Sequence, residues 1–287
     1  MKRILVATDF SARSDRAIRR GILLARPAGA AISLVHAVDD DQPDRLVRAE
    51  RTVAEALLGE QARSLRDIDG LDCEHRVALG DPFHAIAGAA GEIGADLVVI
   101  GPHRRRLLND VFTGTTAERT IRACDRPVLM ANGVPAGPHR HVLVAVDMSD
   151  QSGAALRAVA DLDVARQATV TILHVFDAPG TGPVAGAGLT RGQLDDYLAT
   201  EERRAGEELA AFLQRQGFAP GNRLLKPGGT NPAHVIEATA RAISADLVVV
   251  GTHGRSGIAK LFLGSVTKEV LRMADRDVLA IPNRRKS

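Results

Sequence analysis

Aromatic side chains are scarce in this chain: they make up 3% of it, and none of its 287 residues is Trp. That scarcity argues against a platform for single-stranded bases, which stack on aromatic faces. An excess of one charge is also missing. Lys and Arg number 37 against 35 Asp and Glu, a formal net charge of +2. Affinity for nucleic acid rests mostly on a basic footprint, so no nucleic-acid partner is expected. Two cysteines, Cys73 and Cys124, are too few for a disulfide framework or a Cys-rich zinc site. They suit a reducing compartment. No segment approaches the ~20 apolar residues that span a bilayer. The apolar run at Ile4 stops at Thr8 and Asp9, short of the ~7–15 residues of a secretory core. It reads as a first strand, and a cytoplasmic protein without a membrane partner is expected.

What is present is repetition. Ile4-Leu5-Val6-Ala7-Thr8-Asp9 returns as Val142-Leu143-Val144-Ala145-Val146-Asp147. Ser33-Leu34-Val35-His36-Ala37 returns as Thr171-Ile172-Leu173-His174-Val175. Ala95-Asp96-Leu97-Val98-Val99-Ile100-Gly101 returns as Ala245-Asp246-Leu247-Val248-Val249-Val250-Gly251. The offset is 138 residues at the first two strands and 150 from the fourth onward, so the second repeat carries 12 extra residues around Gly180–Gly186. The join falls in Asn132-Gly133-Val134-Pro135-Ala136-Gly137-Pro138, rich in breakers of helix and strand. Two domains are expected, residues 1–134 and 139–287.

Within each repeat, short apolar runs without alternation lie between helical periods such as Ala17, Ile18, Gly21, Ile22 and Ala25. Non-alternating strands fit a parallel sheet covered on both faces. The order strand–helix, repeated to five strands, predicts two α/β domains, each an open doubly wound five-stranded parallel sheet, Rossmann-like or flavodoxin-like. Strand orders 2-1-3-4-5 and 3-2-1-4-5 both satisfy the pattern. Ligands of such sheets sit outside the carboxyl ends of the strands, where the order reverses. The residues to follow are therefore Asp9 and Asp147, Ala37 and Val175, and the glycine segments opening at Gly101 and Gly251.

Repeat two reads Gly251-Thr252-His253-Gly254, nine residues, then Gly264-Ser265-Val266-Thr267. Glycines at a strand exit let backbone N–H groups approach a phosphate. The helix opening near Gly264 offers free amino-end donors and a favourable dipole for an anion. The hydroxyls of Ser265 and Thr267 can add donors. A main-chain pocket for a triphosphate follows. A P-loop pattern occurs nowhere, and the first strands exit onto Asp9 and Asp147 rather than the Gly-rich dinucleotide fingerprint. A carboxylate there suits a ribose hydroxyl, an exocyclic amine or a bound magnesium ion.

On these residues the chain resembles a tandem universal stress protein, two such domains in one chain, over nearly its whole length. The family's nucleotide signature is Gly, two residues, Gly, nine residues, Gly, then Ser or Thr, and repeat two matches every position. The resemblance implies an adenine nucleotide alpha hydrolase-like fold and ATP with magnesium in repeat two. Ala145 and Val146 would line the base pocket, the backbone of Val175 would read the adenine edge, and Asp147 would meet the ribose or adenine side with magnesium nearby. Val250, Gly251, His253, Gly254, Gly264, Ser265, Val266 and Thr267 would surround the phosphates. It implies a nucleotide-dependent regulator of the stress response, with pairing through the fifth strands, Val128 to Met130 and Val278 to Ile281, and a homo-oligomer of whole chains. A slow ATPase and a nucleotide-free interaction module are the rivals. No catalytic residue is singled out.

Repeat one departs from the signature. Its counterparts are Asp9, Ala37, Gly101, Arg104, Gly114, Thr115 and Thr116. Arg104 stands where repeat two has Gly254, and Pro102 removes an N–H donor. If the position needs a positive φ, Arg adds strain of ~1–2 kcal/mol; against that, Arg104, Arg105 and Arg106 bring phosphate-seeking cations. A nucleotide site and a purely structural partner both remain open for this repeat. Bland roles stand beside the other candidates: Asp9 and Asp147 as helix caps, His36 and His174 as partners of strand-end backbone groups, Cys124 as a buried thiol.

Overall fold

A computed structural model of the protein describes residues 1–102, 116–178, 190–218, 221–228, 231–254 and 263–283. The first repeat runs β1 (Arg3–Ala7), α1 (Ser14–Ala28), β2 (Ala31–Val38), α2 (Asp44–Asp67), β3 (Cys73–Leu79), α3 (Pro82–Glu92), β4 (Leu97–Ile100), α4 (Thr116–Ala123) and β5 (Val128–Met130). The second runs β6 (His141–Val146), α5 (Asp150–Asp161), β7 (Thr169–Asp177), α6 (Arg191–Arg215), β8 (Asn222–Gly228), α7 (Pro232–Ala242), β9 (Leu247–Gly251), α8 (Ser265–Met273) and β10 (Asp277–Ile281). Each half is a parallel sheet of order 3-2-1-4-5, which decides between the two orders the sequence allowed. The halves share one sheet. β5 and β10 pair antiparallel, Val278 opposite Met130 and Ala280 opposite Val128, so the fifth strands join as expected and the sheet has ten strands.

The non-alternating strands are buried as their composition demands: β4 and β10 are inaccessible along their whole length. Helices α1, α2, α5 and α6 cover one face, with Leu58, Leu156 and Leu209 in the core. Helices α3, α4, α7 and α8 cover the other, with Ile121, Ile236 and Val270. Paired aspartates fasten the lower edge. Asp96 Oδ2 accepts from the backbone of Lys2 and Arg3, and Asp246 accepts from Arg140 and His141 at 2.8 and 3.1 Å. The first strand of each repeat is thereby tied to its fourth, and the repeated Ala-Asp-Leu-Val motif is structural.

Two boundaries differ from the sequence expectation. Ala37 and Val175 lie inside strands rather than after them, because the outer neighbours extend the ladder to Val38–Leu79 and Asp177–Gly228. Helix α6 follows the repeat-two insertion and is opened by reciprocal side-chain caps between Thr190 and Gln193; residues 179–189 of the insertion lie outside the described residues.

Candidate functional site

In repeat two the strand order reverses between the paired strands β6 and β9, and a cavity of about 620 Å³ opens at their carboxyl ends. Its lining includes every residue expected for this repeat: Ala145, Val146 and Asp147, Val175, Val250 and Gly251, His253 and Gly254, and Gly264 to Thr267. β6 ends at Val146 while β7 runs on to Asp177. In repeat one Thr8 N donates to Val35 O at 2.9 Å, so Val35 turns its peptide groups toward β1. Strand alternation puts Ala37 on the same side. By the repeat correspondence Val175 turns its N–H and C=O past the end of β6 and into the cavity.

Asp147 sits at the centre. Its Oδ1 accepts from Ser149 N at 3.1 Å and from the hydroxyls of Ser149 and Ser152. The cap of α5 is Ser149, not Asp147. Met148 adopts φ 62°, and its counterpart Phe10 φ 59°, a conformation that costs a non-glycine residue ~1–2 kcal/mol. Both turns place the preceding aspartate to hold the backbone N–H two residues on. In repeat one Asp9 binds Ser11 in this way, and Arg13 approaches it at 3.8 Å. Burial pushes the Asp9 carboxyl up, but Ser11, Ser14 and Arg13 outweigh it and hold it below the usual aspartate value.

The glycine loop is constrained by space and not by a left-handed backbone. Gly254 lacks a positive φ, so the expected conformational strain of Arg at this position is absent. Instead, a Cβ at 254 would lie 2.9 Å from Asp147 Oδ2, closer than real side chains approach. Gly251 has no room either: its Cβ would meet Gln151 Cγ at 2.7 Å. Gly264 N donates to Thr252 O at 2.8 Å, which folds the far end of the loop back onto β9. Gly264 then caps α8 without any side-chain partner, and helix geometry leaves the N–H groups of the first turn without intrahelical acceptors. Ser265 is exposed at this end. Thr267 differs from expectation. Its hydroxyl donates to Gly251 O at 2.6 Å, so it braces the loop and has no proton left for a phosphate. His253 Nδ1 meets Thr252 Oγ1 at 3.0 Å, while its Nε2 is buried without a partner among the described residues. His174 Nδ1 bonds Val146 O at 2.8 Å, and His36 does the same with Thr8; both histidines satisfy strand-end backbone.

Sequence reasoning missed one wall. Glu201, Arg204, Ala205 and Glu208 of α6 line the cavity, together with Phe176 and Asp177 at the end of β7. A helix of 25 residues is ~37 Å long, whereas the seven-residue β8 beneath it spans ~23 Å. The amino half of α6 therefore overhangs the carboxyl edge. Helix length was the signal that pointed there. Arg204 Nε pairs with Glu208 Oε1 at 3.1 Å.

In repeat one Asp9 is exposed, Gly101 packs under α1 where a Cβ would meet Arg13 O at 3.1 Å, and Thr116 opens α4. Arg104, Gly114 and Thr115 lie outside the described residues. Among the described residues no group of three or more His, Cys, Asp or Glu is placed to hold a metal ion, and no helix is long and apolar enough to cross a membrane.

Fold and site together define an open doubly wound α/β protein, built twice in one chain, with a ligand-sized cavity at a topological switch point. The pattern of the universal stress protein family matches residues 1–132 and again 138–282, and the chain belongs to that family. It is similar along 97% of its length to universal stress protein E of Escherichia coli, at 26% identity over 93% of that protein. A universal stress protein of Mycolicibacterium smegmatis is 25% identical, with 97% and 96% of the two chains covered. Among solved structures, a functionally unknown protein of Pseudomonas aeruginosa shares the fold with a TM-score of 0.73 at 20% identity, over 99% of this chain and 93% of that one. A universal stress protein of Archaeoglobus fulgidus does so at 0.69 and 20%, over 98% of both.

Proposed function

We propose that the second repeat binds ATP, carried in with magnesium, and that occupancy biases a regulatory interaction in the stress response. The observation that carries this reading is the cradle around Gly254. The loop is stripped of side chains where Asp147 leaves no room for a Cβ. It faces a helix start without a side-chain cap, and beside it the buried Nε2 of His253 has no partner among the described residues. An anion seated at α8 would satisfy the free first-turn donors. The inward peptide edge of Val175 suits the hydrogen-bonding edge of adenine, and Asp147 the ribose hydroxyls. Magnesium would ride on the phosphates with Asp147 as the one nearby carboxylate of the central strand.

Repeat one serves as a structural partner in this reading, with a domain boundary in the 135–138 segment. Nucleotide acts by favouring one arrangement of the chain over another, to the extent that it binds the two differently. Mass spectrometry of ligand released from the purified protein tests the proposal. ATP is expected from the parent and is lost in Gly254→Arg, whose side chain must pass the Asp147 carboxylate. ATP retained in that variant, or none in the parent together with no titratable binding, refutes it.

A further inference from the structure

Helix α2 has two apolar faces. One is buried against the sheet through Ala54, Leu58, Ala62 and Leu65. The other carries Leu46, Ala49, Val53, Ala56 and Leu57, and all five are exposed. Leu46, Val53 and Leu57 leave 45%, 59% and 38% of their surface open. At 3.6 residues per turn the five fall within an arc of about 100° that looks away from the sheet. Apolar residues scattered singly over a surface are ordinary, but the outer face of a covering helix is expected to be polar. The fold does not require this second face. The buried faces of the two long helices align as Ala54, Leu58 and Ala62 with Ala205, Leu209 and Leu213. In that register the counterparts of the five on α6 are Tyr197, Thr200, Arg204, Glu207 and Glu208.

We infer that this face joins two copies of the chain, α2 against α2 in antiparallel twofold packing. β5 and β10 are already paired with each other, so a contact between chains needs a surface away from them. A face that binds itself must be complementary across a twofold axis, and this one is. With the axis beside Val53, Leu57 of one helix comes level with Ala49 of the other. Each leucine then enters the gap framed by Leu46, Ala49, Glu50 and Val53, a knob in a hole. The exposed charges bordering the face match in the same direction. Arg45 stands near its start, and Glu60, Arg63 and Asp67, together net negative, stand near its end. Antiparallel packing sets Arg45 beside the partner's negative end, whereas parallel packing would set Arg45 against itself. Arg48 and Arg51, on the far side of the helix, pair with Asp44 at 3.7 Å and Glu55 at 2.8 Å. The face is ~17 Å long, which suits a weak, concentration-dependent dimer rather than a permanent one.

Sedimentation equilibrium of the full chain up to about 300 µM tests this, with a monomer–dimer Kd on the order of 10–100 µM expected. Val53→Glu sets two like charges together at the axis and should weaken the dimer about tenfold or more. Arg45→Glu and Glu60→Arg should each weaken it, and the two combined should regain most of the loss, because the reversed charges meet again. Val53→Cys should oxidise to a disulfide-linked dimer and Arg51→Cys, on the far side, should not; the native Cys73 and Cys124 are buried. All these positions are exposed, and melting temperatures equal to the parent's show that the variants are folded. A chain that stays monomeric over the whole range leaves the face to a different protein and overturns the proposal. A dimer unmoved by Val53→Glu, or linked through Arg51→Cys in preference to Val53→Cys, overturns it as well.

Discussion

Thr267 shows how a residue's place can be legible while its job is not. Its hydroxyl spends its proton on Gly251 O at 2.6 Å, and the side chain is buried. Thr267→Val leaves that carbonyl unpaired in a closed site, a loss of ~1–3 kcal/mol. Urea denaturation should show the midpoint falling accordingly, and an unchanged midpoint would mean that water replaces the bond. Cys73 and Cys124 are both buried and free. Burial pushes the Cys73 thiol up to about 11 and raises that of Cys124 too. A thiol held protonated is a poor nucleophile. The native protein should therefore be inert to thiol reagents at neutral pH, with two thiols titrating only after unfolding.

At the scale of elements, α7 and the turn before β10 carry an ion pair that the first repeat does without. Glu237 on α7 lies 3.8 Å from Arg276, and both are buried; repeat one has Ala87 and Arg126 at these places. Burial pushes the Glu237 carboxyl above its usual 4.5, against the pull of Arg276. The folded state thus holds this proton more tightly than the unfolded chain. The resulting penalty is absent in acid and grows as pH rises through the folded value. Arg276 keeps Ala245 O at 3.0 Å and Asp275 at 2.6 Å in the absence of Glu237. Glu237→Gln should then match the parent near pH 4 and melt above it at neutral pH. Thermal scans at the two values check the sign.

At the scale of the molecule, one sheet passes through both repeats, and a buried polar cluster sits at the seam. Asp277 opens β10 with no exposed surface. Its Oδ1 accepts from Gly133 N at 2.9 Å, and its Oδ2 lies 2.9 Å from His139 Nε2. Arg20 of α1 brings its Nε to 2.6 Å of Oδ2, an ion pair out of hydrogen-bond alignment, and its Nη1 donates to Gly137 O at 2.8 Å. The segment joining the repeats is thus clasped between α1 and β10. The counterpart of Asp277 is Pro127, which carries no acid, since the joining segment passes the seam only once. Asp277→Ala strands Arg20 in the interior and should cost ~3–5 kcal/mol. Denaturation and proteolysis within residues 132–140 should both report it. Because β5 and β10 consume each other, a dimer of whole chains must use another surface. The outer strands β3 and β8 present Glu74, Arg76, Arg223, Lys226 and Pro227, which discourage edge pairing.

The chain's own order of residues determined the duplication, the non-alternating strands with their helical crossovers, and the glycine spacing that marks the cavity. These rest on short-range rules: the periods of strand and helix, and the freedom glycine gives a turn. Tertiary structure alone decided between two strand orders, ran β7 past β6 so that Val175 faces open space, and swung α6 over the mouth with its carboxylates. It also decided that Gly254 is required by a neighbouring carboxylate rather than by its own torsion, and that Asp277 holds the seam. Each of those depends on which distant residues the sheet brings within a few ångströms, and that proximity is created only when the layers pack.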